Sequence, residues 1–219
     1  MINKIQGFIE LTRLDKPVGI YLLFWPSFIG LLLGAIDRGS IEFKNYFILI
    51  IGTVLVRSCG CIINDINDYK FDRLVSRTKN RPLAANLISI NKSLFYVFLL
   101  CGLAFFILIQ FNFLTIILGL ASMFFAFSYP FMKRITYWPQ LFLGITFNWG
   151  IIMAWTAINN GITYEIVILY LSAIFWTLGY DTIYGAQDMS DDEIIGLKST
   201  SIKFKNNPHK FLIICYSIF

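Results

Sequence analysis

The sequence predicts an all-α protein, a multi-pass bundle of transmembrane helices. Of its 219 residues, 57% are hydrophobic and 14% are charged, whereas a soluble domain carries about 25% charged residues. The mean hydropathy is +0.68, and apolar runs recur at close to the roughly 20 residues that a helix needs to cross a bilayer. The acidic residues, by contrast, gather in two clusters, and each cluster follows an apolar run.

Six apolar runs come near the length of a span. In chain order they are Pro17–Ala35, Tyr46–Ile63, Ser93–Gln110, Phe113–Met132, Trp138–Ala157 and Tyr164–Tyr180. A seventh run begins near Phe211 and extends only to Phe219, which is about half a span. We therefore expect residues 1–219 to form a single transmembrane domain with six full spans and a partial seventh.

The basic residues lie mainly on one side of this predicted bundle. Fifteen of the 18 lysines and arginines fall in the N-terminal segment or in the segments after the second, fourth and sixth runs. The other side has only Arg38 and Lys44, and Arg57 lies within the second run. Because cytoplasmic segments are enriched in basic residues, we expect the N-terminus and both acidic clusters to face the cytoplasm. The net charge of +5 then reflects topology, and no basic stripe with interleaved aromatic residues suggests a nucleic-acid partner.

The first acidic cluster directly follows the second run. If that run continues as a helix, Asp65, Asp68 and Asp72 stand at i, i+3 and i+7 and share one face. Arg57 and Asn64, seven residues apart, lie near the same face. Carboxylates beside hydrocarbon are costly unless a cation neutralises them. Mg2+ is a suitable cation, since it takes oxygen ligands and bridges carboxylates to phosphate.

The second acidic cluster follows the sixth run. Asp181, Asp188 and Asp192 stand at i, i+7 and i+11, although Gly185 disfavours one continuous helix. An alternative is that both clusters are solvated loop carboxylates paired with nearby basic residues, namely Lys70, Arg73 and Lys198. Two clusters on one membrane face, with neutral spans behind them, favour a shared metal site.

Basic residues on the same face add groups that bind phosphate. Arg77, Lys79 and Arg81 closely follow the first cluster, and Lys133 and Arg134 end the fourth run. Carboxylates that hold Mg2+, with basic residues on the remaining oxygens, suit a bound pyrophosphate. The alternative is that these basic residues only set the topology. A pyrophosphate site that opens into an apolar bundle implies a substrate with a charged head and a hydrocarbon tail, such as an isoprenyl diphosphate.

Several motifs along the chain resemble those of one family, the UbiA superfamily of intramembrane prenyltransferases, and most closely its 4-hydroxybenzoate branch. The similar segments are Arg13–Gly19, Arg57–Cys61, Asn64–Asp72, Asn80–Ala84, Tyr129–Pro130, Lys133–Arg134, Pro139–Gln140, Leu143–Gly144, Tyr180–Tyr184, Gln187–Asp188, Asp191–Asp192 and Gly196–Thr200. The resemblance implies a fold of nine transmembrane helices around a cavity open to lipid. Because the family usually continues beyond this length, we expect C-terminal spans to be missing.

The resemblance also implies a site and a reaction. It places a Mg2+–diphosphate site at Asn64, Asp65, Asp68, Asp72, Asp188 and Asp192, with help from Tyr129, Lys133 and the basic residues Arg77, Lys79 and Arg81. The implied reaction is transfer of a polyprenyl group from its diphosphate to the ring of 4-hydroxybenzoate, in ubiquinone biosynthesis at the bacterial inner membrane. Arg57 is expected to bind the acceptor's carboxylate, with a pairing to Asp68 or Asp72 as the rival. Asp181 is a candidate for taking a proton or orienting the phenol.

Other hypotheses for the function of the chain remain open at this point. Within the family, the acceptor could be another quinone precursor, haem or a glyceryl phosphate. The CDP-alcohol phosphotransferases are also aspartate-dependent membrane enzymes, but both clusters lack their Asp-Gly and Ala-Arg elements. A transporter should carry charged residues in mid-span, and only Arg57 does so. An inactive truncated remnant would show no turnover with Mg2+ and both substrates.

Overall fold

The structure is a computed structural model that describes residues 4–219. Within these residues the chain forms ten helices: α1 (Lys4–Thr12), α2 (Val18–Arg38), α3 (Phe43–Asp72), α4 (Ile90–Leu108), α5 (Phe113–Ile135), α6 (Pro139–Asn159), α7 (Tyr164–Gly185), α8 (Met189–Ile195), α9 (Thr200–Lys203) and α10 (Pro208–Ile218). Six of them, α2 to α7, are long and apolar enough to cross a membrane. The prediction of an all-α bundle with six spans is confirmed, and the 11-residue α10 corresponds to the partial seventh run.

Local signals in the sequence set several helix ends. The side chains of Ser89 and Asn112 accept hydrogen bonds from backbone N–H groups three residues later, which caps the starts of α4 and α5. At the ends of α2 and α6, Gly39 and Asn160 adopt the left-handed conformation, with φ values of 70° and 52°. These caps keep the connections between α2 and α3 and between α6 and α7 short.

Small residues let α6 pack closely against its neighbours. A Cβ atom at Gly30 of α2 would collide with the backbone carbonyl oxygen of Ile151 on α6, and one at Gly150 would collide with the Ser27 side chain. On the other side of α6, a Cβ at Gly144 would lie 3.0 Å from the Ile174 carbonyl oxygen of α7. Such close approach is the usual way in which helices associate in membranes. It makes α6 the central helix of the bundle.

Buried hydrogen bonds join the same helices. The Asn148 amide of α6 donates to the Thr177 hydroxyl of α7 at 2.7 Å and to the Ala173 carbonyl at 3.1 Å. Between α5 and α6, the hydroxyls of Thr115 and Thr156 lie 3.1 Å apart. Polar side chains inside a membrane bundle need such partners, because lipid offers none. These bonds therefore fix the register of α5, α6 and α7.

The helices α3 and α4 form the other part of the bundle. An apolar cluster that includes Leu11, Cys59, Ile62, Leu83 and Leu100 joins them to the N-terminal segment and to the segment 73–89. The outer surface carries large exposed apolar side chains, among them Phe98, Phe106 and Phe124. An apolar exterior of this kind is suited to lipid rather than to water.

Candidate active site

The first acidic cluster lies on a continuous helix, as the spacing predicted. The helix α3 extends nine residues beyond the apolar run Tyr46–Ile63, to Asp72. The side chains of Asp65, Asp68 and Asp72 are only 1%, 2% and 8% exposed. The alternative that these are solvated loop carboxylates is therefore wrong for the first cluster. Because buried carboxylates need compensating charge, their partners define the site.

Two arginines from different segments neutralise Asp65 and Asp72. Arg13, which precedes α2, donates to Asp65 Oδ1 at 2.5 Å. Arg81, in the segment 73–89, lies 3.3 Å from the same oxygen and 2.8 Å from Asp72 Oδ2. The other oxygen of Asp65, Oδ2, is buried and has no hydrogen-bond partner. The Arg81 guanidinium thus bridges two of the three carboxylates.

Asp68 is neutralised by the end of α5. Lys133 Nζ lies 2.5 Å from Asp68 Oδ2, and an Nη atom of Arg134 lies 3.2 Å from Oδ1. The same Nη atom donates to the Asn67 carbonyl at 2.6 Å. These contacts hold the end of α5 against the end of α3. They also place Lys133, a predicted diphosphate-binding residue, among the carboxylates.

The second cluster is split by a helix break. The helix α7 ends at Gly185, so Asp181 lies on α7, Asp188 directly precedes α8, and Asp192 lies within α8. The three carboxylates are therefore not on the face of one helix. A Cβ at Gly185 would lie 2.8 Å from the Ser201 hydroxyl, so a glycine here lets the following segment fold back onto α7.

The segment that follows the first cluster contacts the second cluster. Arg77 donates two hydrogen bonds to Asp188, from Nε at 2.8 Å and from Nη2 at 2.5 Å. One residue earlier, the Ser76 hydroxyl donates to Asp191 at 3.0 Å. The fork of an arginine fits a carboxylate well, and this hydrogen bond raises the pKa of Arg77 above its ordinary value. The segment after α3 and the segment after α7 thus form one polar end of the bundle.

Lys133 lies between the two clusters. Besides its contact with Asp68, its charge acts on Asp192. Burial raises the pKa of the Asp192 carboxyl above its ordinary value, and the ammonium of Lys133 opposes this effect. The Lys133 carbonyl also accepts a hydrogen bond from the backbone N–H of Lys198 at 2.8 Å. One lysine therefore connects α5 to both acidic clusters.

Arg57 lies deeper in the bundle. It is eight residues before Asp65 on α3, or about 12 Å along the helix axis. Its guanidinium lies 5.4 Å from the centre of the Phe147 ring and occupies the space that a Cβ at Gly19 would take. Among the ion pairs within residues 4–219, none includes Arg57. The rival expectation, that Arg57 pairs with Asp68 or Asp72, is therefore wrong.

Two tyrosines, Tyr129 and Tyr180, connect this deeper arginine electrostatically to Asp181. The hydroxyl of Tyr129 lies within electrostatic reach of Arg57 and Asp181, and so does that of Tyr180. All four side chains are half-buried. We call Arg57, Phe147, Tyr129, Tyr180 and Asp181 the inner group, and the aspartates with their basic partners the outer group.

The outer group has the right donor chemistry for Mg2+ but holds other cations. Within residues 4–219, no three His, Cys, Asp or Glu side chains lie close enough together to form a metal site. Carboxylate oxygens are the ligands that Mg2+ prefers, and the unpartnered, buried Asp65 Oδ2 is one such ligand. Of the other predicted site residues, Asn64 is half-buried on α3 and Lys79 is exposed in the segment 73–89. In this arrangement the outer-group carboxylates are paired with basic side chains instead.

The sequence alone suggested no role for Arg13, Ser76 or Asp191. Arg13 lies 52 residues from its partner Asp65, and Ser76 lies 115 residues from Asp191. No spacing rule connects positions so far apart. Arg13 and Asp191 do fall in segments that resemble the family, which was the only signal available in the sequence.

The fold and the two groups of polar residues define a class: a multi-pass membrane protein with a polar site at one end of its helices and an arginine set deeper among them. The model of the UbiA prenyltransferase family matches residues 23–219, and the chain belongs to this family. The family predicted from the motifs is confirmed.

Curated relatives are similar over most of the chain. The mitochondrial 4-hydroxybenzoate polyprenyltransferase of Arabidopsis thaliana is 44% identical over 212 residues, which cover 96% of this chain and 52% of the relative. The 4-hydroxybenzoate octaprenyltransferase of Pseudomonas fluorescens (strain Pf0-1) is 46% identical over 197 residues, which cover 90% and 66%. The chain thus spans between half and two thirds of the length of these relatives.

Solved structures share the fold. An apo UbiA homolog from Aeropyrum pernix K1 matches with a TM-score of 0.75 at 19% identity, over 100% of this chain and 77% of that one. A UbiA homolog from Archaeoglobus fulgidus, bound to DMAPP and Mg2+, matches with a TM-score of 0.74 at 18% identity, over 97% and 73%. The helix bundle is therefore the UbiA fold.

Proposed function

We propose that this chain provides the prenyl-transfer site of a 4-hydroxybenzoate polyprenyltransferase, which moves a polyprenyl group from its diphosphate to the acceptor's ring in ubiquinone biosynthesis. The observation that carries the proposal is the meeting of the two aspartate segments through Arg77 and Asp188, with Arg57 deeper in the same bundle. The names of the relatives support the acceptor and the donor. The prenyl chain would lie in membrane lipid.

In this proposal the outer group binds the diphosphate. Mg2+ would be held by the carboxylates, namely Asp65, Asp68, Asp72, Asp188 and Asp192, and when bound it stabilises the negative charge of the departing diphosphate. The side chains of Arg77, Arg81 and Lys133 already lie among these carboxylates, so they are in place to take phosphate oxygens. We assign this role to Arg77, Lys79, Arg81 and Lys133, with Asn64 and Tyr129 as further hydrogen-bonding groups.

The inner group receives the acceptor. A charge inside a span is costly without a partner, and Arg57 takes part in none of the ion pairs within the described residues. A carboxylate of 4-hydroxybenzoate would neutralise it. Asp181 would then accept a hydrogen bond from the phenol or take the proton that the ring loses. The aromatic faces of Phe147, Tyr129 and Tyr180 would stabilise an allylic cation and exclude water.

The experiment is a transfer assay on membranes that contain the chain, with labelled polyprenyl diphosphate, 4-hydroxybenzoate and Mg2+, and with an EDTA control. We expect metal-dependent formation of prenylated 4-hydroxybenzoate. Asp65→Asn and Asp188→Asn should each lower the rate at least about a hundredfold, since each removes a carboxylate that would hold the Mg2+ on which the departing diphosphate depends. Asp37→Asn is the matched control, because Asp37 lies at the far end of α2, beside Asn159.

Two outcomes would contradict the proposal. If another acceptor gives product and 4-hydroxybenzoate gives none, the chain is a prenyltransferase but 4-hydroxybenzoate is not its acceptor. No product from any acceptor, with the chain present in the membrane, would identify an inactive form.

A further inference from the structure

A cavity lies outside the outer and inner groups. It is formed by the end of α3, the segment 73–89 and the start of α4, and it measures about 380 Å³. Tyr69, Asn86, Ser89 and Asn91 give it a polar side, and Leu83 and Ile88 contribute to an apolar side. Ligand pockets in proteins commonly measure about 300–1,000 Å³. The cavity therefore has the size and the mixed lining of a site for an amphipathic ligand.

Three basic residues lie next to residues that line this cavity. The Lys70 ammonium and the Arg73 guanidinium lie 5.9 Å and 5.4 Å from the centre of the Tyr69 ring, which lines the cavity. Lys92 follows the lining residue Asn91, and its ammonium lies 5.7 Å from the Tyr96 ring. Among residues 4–219 no ion pair includes any of the three. The positive charges beside the cavity therefore have no ion-pair partner, unlike those of the outer group.

Arg73 is held in place at the cavity. Its Nε donates to the Ala84 carbonyl at 2.9 Å, and its Nη2 donates to the Asn86 side chain at 2.5 Å. Asn86 adopts the left-handed conformation, with φ of 57°, within a turn closed by a 2.8 Å bond from the Leu87 N–H to the Pro82 carbonyl. The guanidinium is exposed but already oriented. Such preorganisation lowers the entropy cost of binding an anion.

The residues beside the cavity are of the types found at membrane–water boundaries. Tyrosines are enriched where helices leave the hydrocarbon, and Leu87, Leu94 and Phe95 are at least half exposed beside the cavity and along α4. We propose that the cavity binds an anionic phospholipid, with its phosphate among Lys70, Arg73 and Lys92 and its acyl chains along the exposed face of α4. Basic pockets between transmembrane helices recognise such headgroups.

The bound lipid would stabilise the end of α3, which carries the outer-group aspartates Asp68 and Asp72. Tyr69 and Arg73 each directly follow an outer-group aspartate, Asp68 and Asp72, along the last turns of α3. The two proposed sites share no residue, although Tyr69 and Arg73 adjoin Asp68 and Asp72 along α3. The lipid site can therefore be tested without measuring prenyl transfer, and its failure would leave the proposed function standing.

The experiment compares the thermal unfolding of the full chain in phosphatidylcholine nanodiscs with and without a minor fraction of phosphatidylglycerol. We expect phosphatidylglycerol to raise the Tm by about 5 °C. Arg73→Gln/Lys92→Gln should lose more than half of this rise. Lys16→Gln/Lys210→Gln is the matched control, because it removes two exposed charges from segments predicted to face the same side. The control should keep the rise.

A second variant tests the proposal even if the double variant does not fold. Asn86→Asp preserves the shape and the hydrogen bond to Arg73 but neutralises its charge, so it should also lose most of the rise. The proposal would be overturned if phosphatidylglycerol raised the Tm equally in the wild type, the double variant and Asn86→Asp. It would also be overturned if the control lost as much of this rise in Tm as the double variant. The same rise from soluble glycerol phosphate in phosphatidylcholine discs would also overturn it, because the ligand would then be a free phosphate compound.

Discussion

The three carboxylates of α3 share a face, but residues from three other segments balance their charge. Arg13, Arg81 and Lys133 are among these partners. Removing one member of a buried ion pair leaves the other uncompensated, at a cost of about 3–5 kcal/mol. A substitution such as Asp65→Asn therefore affects folding as well as catalysis. Its kinetic effect has to be measured on protein that has been shown to be folded.

Gly19 gives a sharper test of a single side chain. In Gly19→Ala the new Cβ collides with the Arg57 guanidinium, which lies at the flexible end of its side chain and moves away. We expect the KM for 4-hydroxybenzoate to rise about tenfold, the cost of weakening one charge-assisted hydrogen bond. The KM for the prenyl diphosphate should stay the same. Steady-state kinetics with each substrate varied in turn would measure both.

The matched control for Gly19→Ala is Gly52→Ala on α3, where a Cβ meets no atom within 4 Å. If both KM values rise equally in Gly19→Ala, Arg57 belongs to the diphosphate site or acts only in packing.

At single residues, the sequence could predict neighbours along one helix but not partners across the fold. The spacing of Asp65, Asp68 and Asp72 is enough to place them on one face, because a helix has a fixed period. The pairing of Arg13 with Asp65 depends on how the segment before α2 packs against α3. The rival pairing of Arg57 was wrong because Asp68 and Asp72 are already held by nearer cations.

The elements were predicted more completely than their contacts. The six apolar runs matched the helices because a span must be apolar over its length. The ends differed most at α3, where the polar residues 64–72 remain helical. Contacts with Arg81, Lys133 and Arg134 stabilise that extension. Apolarity alone would place the end of this helix at Ile63.

The packing of α2 on α6 yields a prediction about stability. A Cβ in Gly30→Ala would collide with the Ile151 backbone, which cannot move aside as a side chain can. We expect the helices to separate slightly, which should lower the free energy of unfolding by about 1–3 kcal/mol. The Tm in detergent should fall by about 2–4 °C for each kcal/mol.

Gly102→Ala on α4 is the control for Gly30→Ala, since a Cβ there meets no atom within 4 Å. An equal fall in Tm for both variants would show that loss of a glycine, rather than the contact with α6, is responsible.

For the whole molecule, the distribution of charge predicts the orientation in the membrane. Ser40 lies between α2 and α3, and Lys79 lies between α3 and α4, so they are at opposite ends of α3. In intact cells a membrane-impermeant maleimide should label Ser40→Cys but should reach Lys79→Cys only after lysis. The four native cysteines, Cys59, Cys61, Cys101 and Cys215, lie within helices, and three of them are buried. The opposite labelling pattern would mean that the bundle is inverted.

The length of α3 has a consequence for how the proposed substrate reaches the site. Its 30 residues measure about 45 Å, whereas the hydrocarbon layer is about 30 Å thick. Asp65, Asp68 and Asp72 therefore sit at the depth of the lipid headgroups. A polyprenyl diphosphate floating in the same leaflet already has its charged head at this depth and its tail in the hydrocarbon. It can reach the site by lateral diffusion alone. Its prenyl chain need not enter water, and its phosphates need not enter the hydrocarbon layer.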